Sequence, residues 1–438
     1  MRSSPHQVAE RGRTHRFPQI LSGGQALLFT ASTNTSAYDD AAIEVLSLKT
    51  GQVQTVVRGG YFGRYLAGRL VYMHQDVLFS ALFDLPSLTV RGTPAPLLDD
   101  VAAYQTSGAG QFDFSETGTF VYRSGKASSA ASPVVWLDSA GKTQPLLPKP
   151  GNYATPRVSP DGRYLALAVD NGKGPDIHVY DMQRDVLSRV TFDATRQNDW
   201  PVWTPDGKHL VYASVTDKAI WWIRADGAGE PQRLLAGQNT LAPWSFSQDG
   251  KFLSYSETTP DTKADVLILP VDASDPEHPK AGTPEVFLKT PASEGGPMLS
   301  PDGRWMSHTS DESGQYEVWV RPVHSAIGGK WQISTSGGSY SYWSHDGRSL
   351  YYLTLDLRIM VVDYTTTRES FVAGKPRVWS QAPVRATAAG YQPLDLAPDG
   401  KRFAILPTPV VTDEKGSVHV TFLLNFFDYM RSGAAGKK

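Results

Sequence analysis

A four-residue turn recurs along the chain and constrains its fold more than any other feature. It reads Ser-Pro-Asp-Gly or a close variant, and its six clearest copies begin at Ser159, Thr204, Ser247, Ser300, Ser344 and Ala397. Proline presets the backbone of a type I turn, Asp and Ser side chains cap nearby amides, and glycine supplies the left-handed exit. Each copy precedes a short run with apolar alternation, such as Leu165, Leu167 and Val169. The motif therefore predicts a series of β-hairpins.

Weaker copies of the turn lie upstream, at Ser22–Gly24, Leu66–Gly68 and Ser115–Gly118. The turn glycines are then nine, at positions 24, 68, 118, 162, 207, 250, 303, 347 and 400, and they lie 43 to 53 residues apart. This spacing leaves room for about four short strands in each repeat, which is the size of a propeller blade. No stretch keeps a 3.6-residue period, so a helical solenoid is excluded. The sequence predicts an all-β chain, a β-propeller of nine four-stranded blade repeats.

The number of repeats bears on how the chain divides. Single propellers hold about four to eight blades, so nine repeats fit one closed ring poorly. Because the last six turns are the strongest, the preferred division is a complete six-bladed ring at 149–430, preceded by three blades of a partial ring at 1–148. Residues 431–438 are then a flexible tail. The alternative is one ring of eight or nine blades.

Charge and composition exclude several classes of partner. The chain has 42 Lys and Arg against 44 Asp and Glu, a net charge of −2, which gives no footprint for nucleic acid. The apolar stretch Val418–Phe427 is too short to span a bilayer, so we expect no membrane insertion by this chain. Cysteine is absent, which excludes disulfides and thiolate metal sites. The residues before Phe17 lack the apolar core of a secretory signal, so a complete protein of this sequence is expected in the cytoplasm.

The motifs of common enzymes are also missing. The sequence contains no Gly-x-Ser-x-Gly nucleophile elbow, no His-Glu-x-x-His and none of the protein-kinase loops. Its ten histidines are scattered, without a close pair at metal-ligand spacing. We therefore predict a protein that is not an enzyme, with no catalytic residue, no metal ligand and no cofactor.

Candidate binding residues follow from the position of the turn. In each repeat the innermost strand leads into the Asp-Gly turn, so the residues six to eight positions before that Asp lie where the strand begins, at the mouth of the central channel. From these positions we select eight candidates: Tyr153, Asn198, Asp199, Trp200, Glu294, Tyr340, Tyr391 and Gln392. Their aromatic, amide and acidic groups suit a peptide or a small polar ligand. The alternative is that they are ordinary loop residues at the channel.

Two resemblances follow from these residues. The Ser-Pro-Asp-Gly-Arg/Lys turn before an apolar strand resembles the TolB-like and WD-type propeller repeats of bacteria. Three segments, 13–19, 329–335 and 423–427, resemble the C-terminal extracytoplasmic propeller region of bacterial serine/threonine protein kinases. In such kinases a catalytic domain and one membrane helix precede the propeller. The resemblance implies a periplasmic sensing region and a chain that is the end of a longer protein.

Together these observations predict a non-catalytic propeller that binds or senses a protein, peptide or envelope ligand, as the sensory region of a kinase-like receptor. Three alternatives stay open. One is a propeller hydrolase or lyase with a metal or polar site in its channel. Another is the propeller half of a prolyl-oligopeptidase-type peptidase. The last is a structural domain that spaces its partners. The sequence does not specify the oligomeric state.

Overall fold

A computed structural model of the chain describes residues 14–33, 38, 40–74, 77–99, 101–104, 107–115, 117–124, 131–171, 174–193, 196–259, 263–323, 329–367, 370–384, 391–407 and 420–432. These residues form antiparallel β-sheets and one short helix, which confirms the all-β propeller prediction. The chain divides into two compact units. Unit 1 comprises Met1–Ala131 with Val410–Lys438, and unit 2 comprises Ser132–Pro409.

Unit 1 begins with two four-stranded sheets. Their strands are β1 (Thr14–Ile20), β2 (Ala26–Ser32), β3 (Ala42–Ser47) and β4 (Val53–Arg58), then β5 (Tyr61–Leu66), β6 (Arg69–His74), β7 (Val77–Asp84) and β8 (Thr89–Leu98). Two short strands, β9 (Ala103–Tyr104) and β10 (Ala109–Gly110), pair with each other. The next two, β11 (Phe112–Phe114) and β12 (Phe120–Arg123), belong to a three-stranded sheet.

Unit 2 contains six sheets among its described residues, here numbered I to VI. Sheet I has β15 (Tyr153–Val158), β16 (Tyr164–Asp170), β17 (Pro175–Asp181) and β18 (Val186–Arg189). Sheet II has β19 (Asn198–Trp203), β20 (His209–Ser214), β21 (Ala219–Arg224) and β22 (Gln232–Ala236). Sheet III has β23 (Thr240–Phe246), β24 (Phe252–Thr259), β25 (Lys263–Asp272), β26 (Lys280–Ala281) and β27 (Glu285–Leu288). Sheet IV has β28 (Glu294–Leu299), β29 (Trp305–Ser310), β30 (Glu317–Pro322) and β31 (Trp331–Gln332); sheet V has β32 (Ser339–Trp343), β33 (Ser349–Leu353), β34 (Ile359–Thr366), β35 (Phe371–Ala373) and β36 (Arg377–Ser380). Sheet VI combines β13 (Ser132–Asp138) and β14 (Thr143–Gly151) with β37 (Leu394–Leu396) and β38 (Arg402–Ile405).

Sheet VI corrects the boundary that the sequence suggests at residue 148. Strand β13 pairs with β38, for example Val135 with Ile405, so the segment before 149 completes the last sheet of unit 2. The chain then returns to unit 1, where β39 (Val420–Leu423) pairs with β12 and α1 (Phe426–Ser432) buries Phe426 and Met430 in the core. Unit 2 thus ends well before residue 430. A local turn motif cannot show that strands from opposite ends of a unit share one sheet.

Two further details differ from the predicted pattern. The sheet of the third repeat has three strands, β11, β12 and β39, and sheets III and V each carry a fifth short strand. Of the predicted flexible tail, Arg431 and Ser432 end helix α1, and residues 433–438 lie outside the described residues.

The recurrent turn has the conformation that its residues predict. In the first strong copy the Ser159 hydroxyl donates to Asp161 Oδ1 at 2.6 Å and accepts from the amide of Tyr164 at 2.8 Å. The Gly162 amide donates to the carbonyl of Ser159, also at 2.8 Å. All nine turn glycines have a positive φ, between 66° and 90°, a region that L-residues rarely adopt. The turn glycine is therefore a backbone requirement in every repeat.

The sheets of unit 2 pack one after another and close on themselves. The inner strand of each of the first four sheets contacts the inner strand of the next, from β15 through β19, β23 and β28 to β32, and β15 also contacts β37 of sheet VI. Sheets V and VI are joined by the Tyr342 hydroxyl, which donates to the carbonyl of Leu394 at 2.6 Å. Indole groups join other neighbours: Trp203 of sheet II donates to Arg157 of sheet I at 2.9 Å. The inner strands therefore surround a central channel.

Gly303 in the turn of sheet IV and Gly295 in its first strand test whether the turn requires glycine for its backbone conformation. A methyl group added at Gly303, with φ at 68°, or at Gly295 meets no atom within 4 Å, so only the backbone conformation separates the two sites. We expect Gly303→Ala to lower the free energy of unfolding by about 1–2 kcal/mol, because it forces alanine into a left-handed conformation. Urea denaturation measures this loss. The control Gly295→Ala is expected to be neutral, and equal losses in both variants would contradict the assignment.

Candidate ligand-binding site

A β-bulge recurs near the start of the inner strands of unit 2. Strand pairing slips between Ala154 and Arg157 in sheet I, at the matching places in sheets II, IV and V, and between Pro243 and Ser245 in sheet III. Within the bulge, Thr155, Trp200 and Tyr340 have φ values of 47°, 52° and 49°. Such values are unusual for non-glycine residues, and bulges redirect the side chains that they carry. The bulges lie at the channel mouth, the end of the channel where the inner strands begin.

Two aromatic pairs meet at the channel mouth. Trp200 of sheet II and Tyr391, which precedes the inner strand of sheet VI, have ring centroids 5.1 Å apart with an interplanar angle of 34°. Trp244 of sheet III and Tyr340 of sheet V stack at 6.4 Å and 30°. In each pair the two sheets are separated by a third, sheet I or sheet IV, so the rings meet over the start of the intervening inner strand. Four aromatic rings thus flank the mouth from two sides.

A buried carboxylate lies beside the first aromatic pair. Asp199 is 1% exposed and accepts hydrogen bonds from the amide of Trp200 at 2.7 Å and the hydroxyl of Thr155 at 3.0 Å. The hydroxyl of Tyr391 also donates to it. Burial raises the pKa of Asp199 to about 6; the three hydrogen bonds lower it, and the charge of Asp170 raises it further. The group is therefore mostly ionised at neutral pH.

An ion pair joins the neighbouring sheets I and VI further along the inner strands. Arg157 of sheet I lies 3.5 Å from Asp395 of sheet VI, and its other terminal nitrogen donates to the carbonyl of Trp244 in sheet III. Asp395 also accepts from the amide of Val158 at 2.8 Å. Burial raises the pKa of Asp395, although the charge of Arg157 opposes the shift. Because Arg157 reaches from sheet I to both sheets III and VI, its guanidinium spans the interior of the ring.

Of the eight residues selected from the sequence, the structure brings three together, Asp199, Trp200 and Tyr391. A fourth, Tyr340, lies in the second aromatic pair, with Trp244. Gln392 follows Tyr391 and is 3% exposed, and its Nε2 has no hydrogen-bond partner among the described residues.

The other three candidates point to different surroundings. Asn198 donates to Asp176 at 3.3 Å in the junction between sheets I and II. Glu294 accepts from Thr290, and burial raises its pKa, with the charge of Asp265 adding to the shift in the junction between sheets III and IV. The Tyr153 ring packs in the apolar core, and its hydroxyl donates to the carbonyl of Lys149 at 2.9 Å. Alternation along a strand explains the difference, because neighbouring side chains point to opposite faces.

Sequence reasoning missed Trp244, Arg157 and Asp395. Trp244 lies five residues before the Asp of its turn, outside the window of six to eight, because the bulge in β23 is placed differently. Arg157 and Asp395 stand four residues before their turn Asp, where the other repeats carry Val202, Ser245, Met298 and Tyr342. The signal available in the sequence was that Arg157 and Asp395 carry opposite charges at the same repeat position, where the other repeats carry uncharged residues.

The described residues contain no group of three or more His, Asp or Glu side chains placed to hold a metal ion. The arrangement at the mouth instead offers ring faces and one carboxylate. Such a set binds by stacking, charge and hydrogen bonding. In the same part of the chain, no helix has the length and apolar character of a membrane span.

Comparison with known proteins gives similarity of fold. No family model matches the chain. An uncharacterized protein of Agrobacterium fabrum is 27% identical over 235 residues, which cover 49% of this chain and 73% of that protein. A protein assigned as TolB from Agrobacterium tumefaciens is 18% identical, with a TM-score of 0.47 over 67% of this chain and 99% of its own. The periplasmic gluconolactonase PpgL of Pseudomonas aeruginosa is 14% identical, with a TM-score of 0.41 over 76% of this chain and 95% of its own.

Proposed function

We propose that this chain is a non-catalytic propeller module that binds a protein or peptide ligand at the channel mouth of unit 2. The observation that carries the proposal is the Trp200–Tyr391 pair, whose rings come from non-adjacent sheets and lie beside the buried carboxylate of Asp199, with the Trp244–Tyr340 pair as a second such contact. Aromatic rings with a polar handle dominate recognition surfaces, because they offer large contact areas with little loss of conformational entropy. Gln392 adds a hydrogen-bond donor suited to a peptide carbonyl.

The test is selection from a random 12-residue peptide library displayed on phage with free amino termini. We expect the protein to enrich a family of related peptides that bind in solution. Trp200→Ala should weaken the binding of those peptides at least tenfold, because it removes one ring of the Trp200–Tyr391 pair. Trp319→Ala is the matched control, since Trp319 is buried in strand β30, away from the mouth. No enrichment, or equal binding by the Trp200 variant, would overturn the proposed function.

The resemblance to kinase-associated propellers supports a finer proposal about context. We infer that the chain acts outside the cytoplasm, as the sensory region of a kinase-like receptor. The test is the genomic reading frame around the coding sequence together with fractionation of the source cells. A kinase domain and a membrane helix encoded in frame upstream support this context. A separate frame with the protein in the cytoplasm contradicts it.

A hydrolase or lyase is the second candidate function, and Asp199 is the observation that favours it. A buried carboxyl group whose pKa is raised to about 6 can act as a general acid or base near neutral pH. Elemental analysis of the purified protein tests the metal-dependent form of this candidate. One tightly bound metal ion per chain would support channel-centred chemistry and count against a purely binding role.

A further inference from the structure

We propose that the group bound at the channel mouth is a primary ammonium, for which Asp199 is the counter-ion. This inference rests on the proposed binding function and adds the chemical class of the ligand. The two sources of such a group in a polypeptide are a free amino terminus and a lysine side chain.

The charge of Asp199 is not balanced by a cation among its hydrogen-bond partners. The hydrogen-bond partners of Asp199 are one backbone amide and two hydroxyl groups, all of them neutral. Deeper in the channel, Arg157 is the one buried cation among the described residues of the inner strands, and it already pairs with Asp395. A buried charge without a partner is unfavourable. A cationic ligand would supply the missing charge, and an anionic or neutral one would not.

The surroundings of Asp199 also fit an ammonium in shape and chemistry. An ammonium group has three N–H donors, and the carboxylate with the oxygens of Thr155 and Tyr391 offers acceptors for them. The Trp200 and Tyr391 rings lie next to the same carboxylate. Their faces attract a cation placed over them. A carboxylate beside aromatic faces is therefore a cation site with two kinds of attraction.

Gln392 provides a second observation that points to a polypeptide. Its side-chain Nε2 is buried, is next in sequence to Tyr391 and lacks a partner among the described residues. In an amino-terminal residue the carbonyl oxygen is only a few bonds from the ammonium. A bound polypeptide offers carbonyl oxygens, which are acceptors for such a donor.

Arg157 lies across the channel behind the mouth, which favours a ligand that inserts only its terminal group. Arg157 bridges sheets I, III and VI, four residues before the turn in sheet I. The mouth therefore lies in front of a side chain that crosses the channel, and a chain threaded through unit 2 would have to displace it. A terminal amino group or the end of a lysine side chain needs no such displacement.

The first experiment uses phenethylammonium chloride as the probe and N-acetylphenethylamine as its uncharged counterpart. Titration followed by calorimetry and by thermal unfolding at pH 7.5 is expected to show binding of the amine, with at least tenfold weaker binding of the acetylated compound. Asp199→Asn should remove this difference, because the amide keeps the shape but not the charge. The variant should still fold, since hydroxyl groups can either donate or accept.

The matched control is Glu294→Gln, which changes a buried carboxyl at the start of the inner strand of sheet IV, whose contacts lie in the junction between sheets III and IV. It should bind the amine as the parent protein does. Loss of binding in this variant with retention in Asp199→Asn would overturn the role of Asp199. Equal binding of the charged and acetylated probes, or binding of neither, would overturn the ammonium site.

Three capped tripeptides then separate the two sources. Phe-Ala-Ala amide has a free amino terminus, its N-acetyl form has none, and N-acetyl-Lys-Ala-Ala amide carries the ammonium on a side chain. Binding of the first or the third, but not the second, supports the inference and names the source. Peptides from the phage selection that bind equally well after acetylation and replacement of lysine by norleucine would overturn it, while the proposed binding function would stand.

Discussion

Arg157→Met is expected to lower the free energy of unfolding of unit 2 by about 3–5 kcal/mol at pH 7.5, the loss typical when one partner of a buried ion pair is removed. Arg157 has 7% of its side chain exposed and Asp395 has 14%, so water cannot compensate for the lost charge. The variant also loses the hydrogen bond to the carbonyl of Trp244, which joins sheet I to sheet III. Chemical denaturation, followed by tryptophan fluorescence, measures the loss.

The pH dependence of this loss identifies its cause. Without Arg157, the pKa of Asp395, already raised by burial, should rise further, and protonation then relieves the unpaired charge. The deficit of Arg157→Met should therefore shrink as the pH is lowered to 5. The double variant Arg157→Met, Asp395→Asn should recover more than half of the loss at pH 7.5. A deficit that stays constant with pH and in the double variant would show that packing, not charge, is responsible.

A second large effect is expected at His308. This residue lies in β29, is 1% exposed, and burial lowers its pKa to about 3, with the charge of Arg321 contributing in the same direction. In the unfolded chain the ordinary value is about 6.5. Between these two values the unfolded state binds the additional proton, so stability falls as the pH falls from 6.5 towards 3. At pH 5 this amounts to about 2 kcal/mol relative to pH 7.5.

Replacement by leucine isolates this contribution. His308→Leu is expected to lose about 2 kcal/mol less stability than the parent protein between pH 7.5 and pH 5. Urea denaturation at both pH values gives the difference, which does not depend on the packing effect of the substitution. His278→Leu is the control, because that imidazole is exposed. If both variants keep the pH response of the parent protein, His308 is not the group that titrates.

The repeat unit could be read from the sequence because its determinants are local. The turn at Ser159–Gly162 is specified by four adjacent residues, and every turn glycine has the positive φ that the motif predicts. The period of two in the runs beside each turn predicted antiparallel strands, which the strand pairing confirms. The candidate site was reached in part by the same reasoning, since Asp199 and Trp200 start such a strand.

Long-range features could not be read in this way. The sequence separates Trp200 from Tyr391 by 191 positions, and no local pattern shows that their rings lie 5.1 Å apart. Glu294 and Asp199 looked alike as acidic residues at strand starts, yet only Asp199 joins the mouth, because alternation and the bulge turn the two side chains to different neighbours.

The sequence by itself determined the repeat, the turn and the all-β fold, since hairpins depend on backbone preferences of residues next to one another. Only the tertiary structure decided that Ser132–Gly151 completes sheet VI with Leu394–Ile405, that β39 returns to unit 1, and that Arg157 meets Asp395. These contacts join residues far apart in the chain. They form because unpaired strand edges and a buried charge each need a partner, and closure of the ring supplies it.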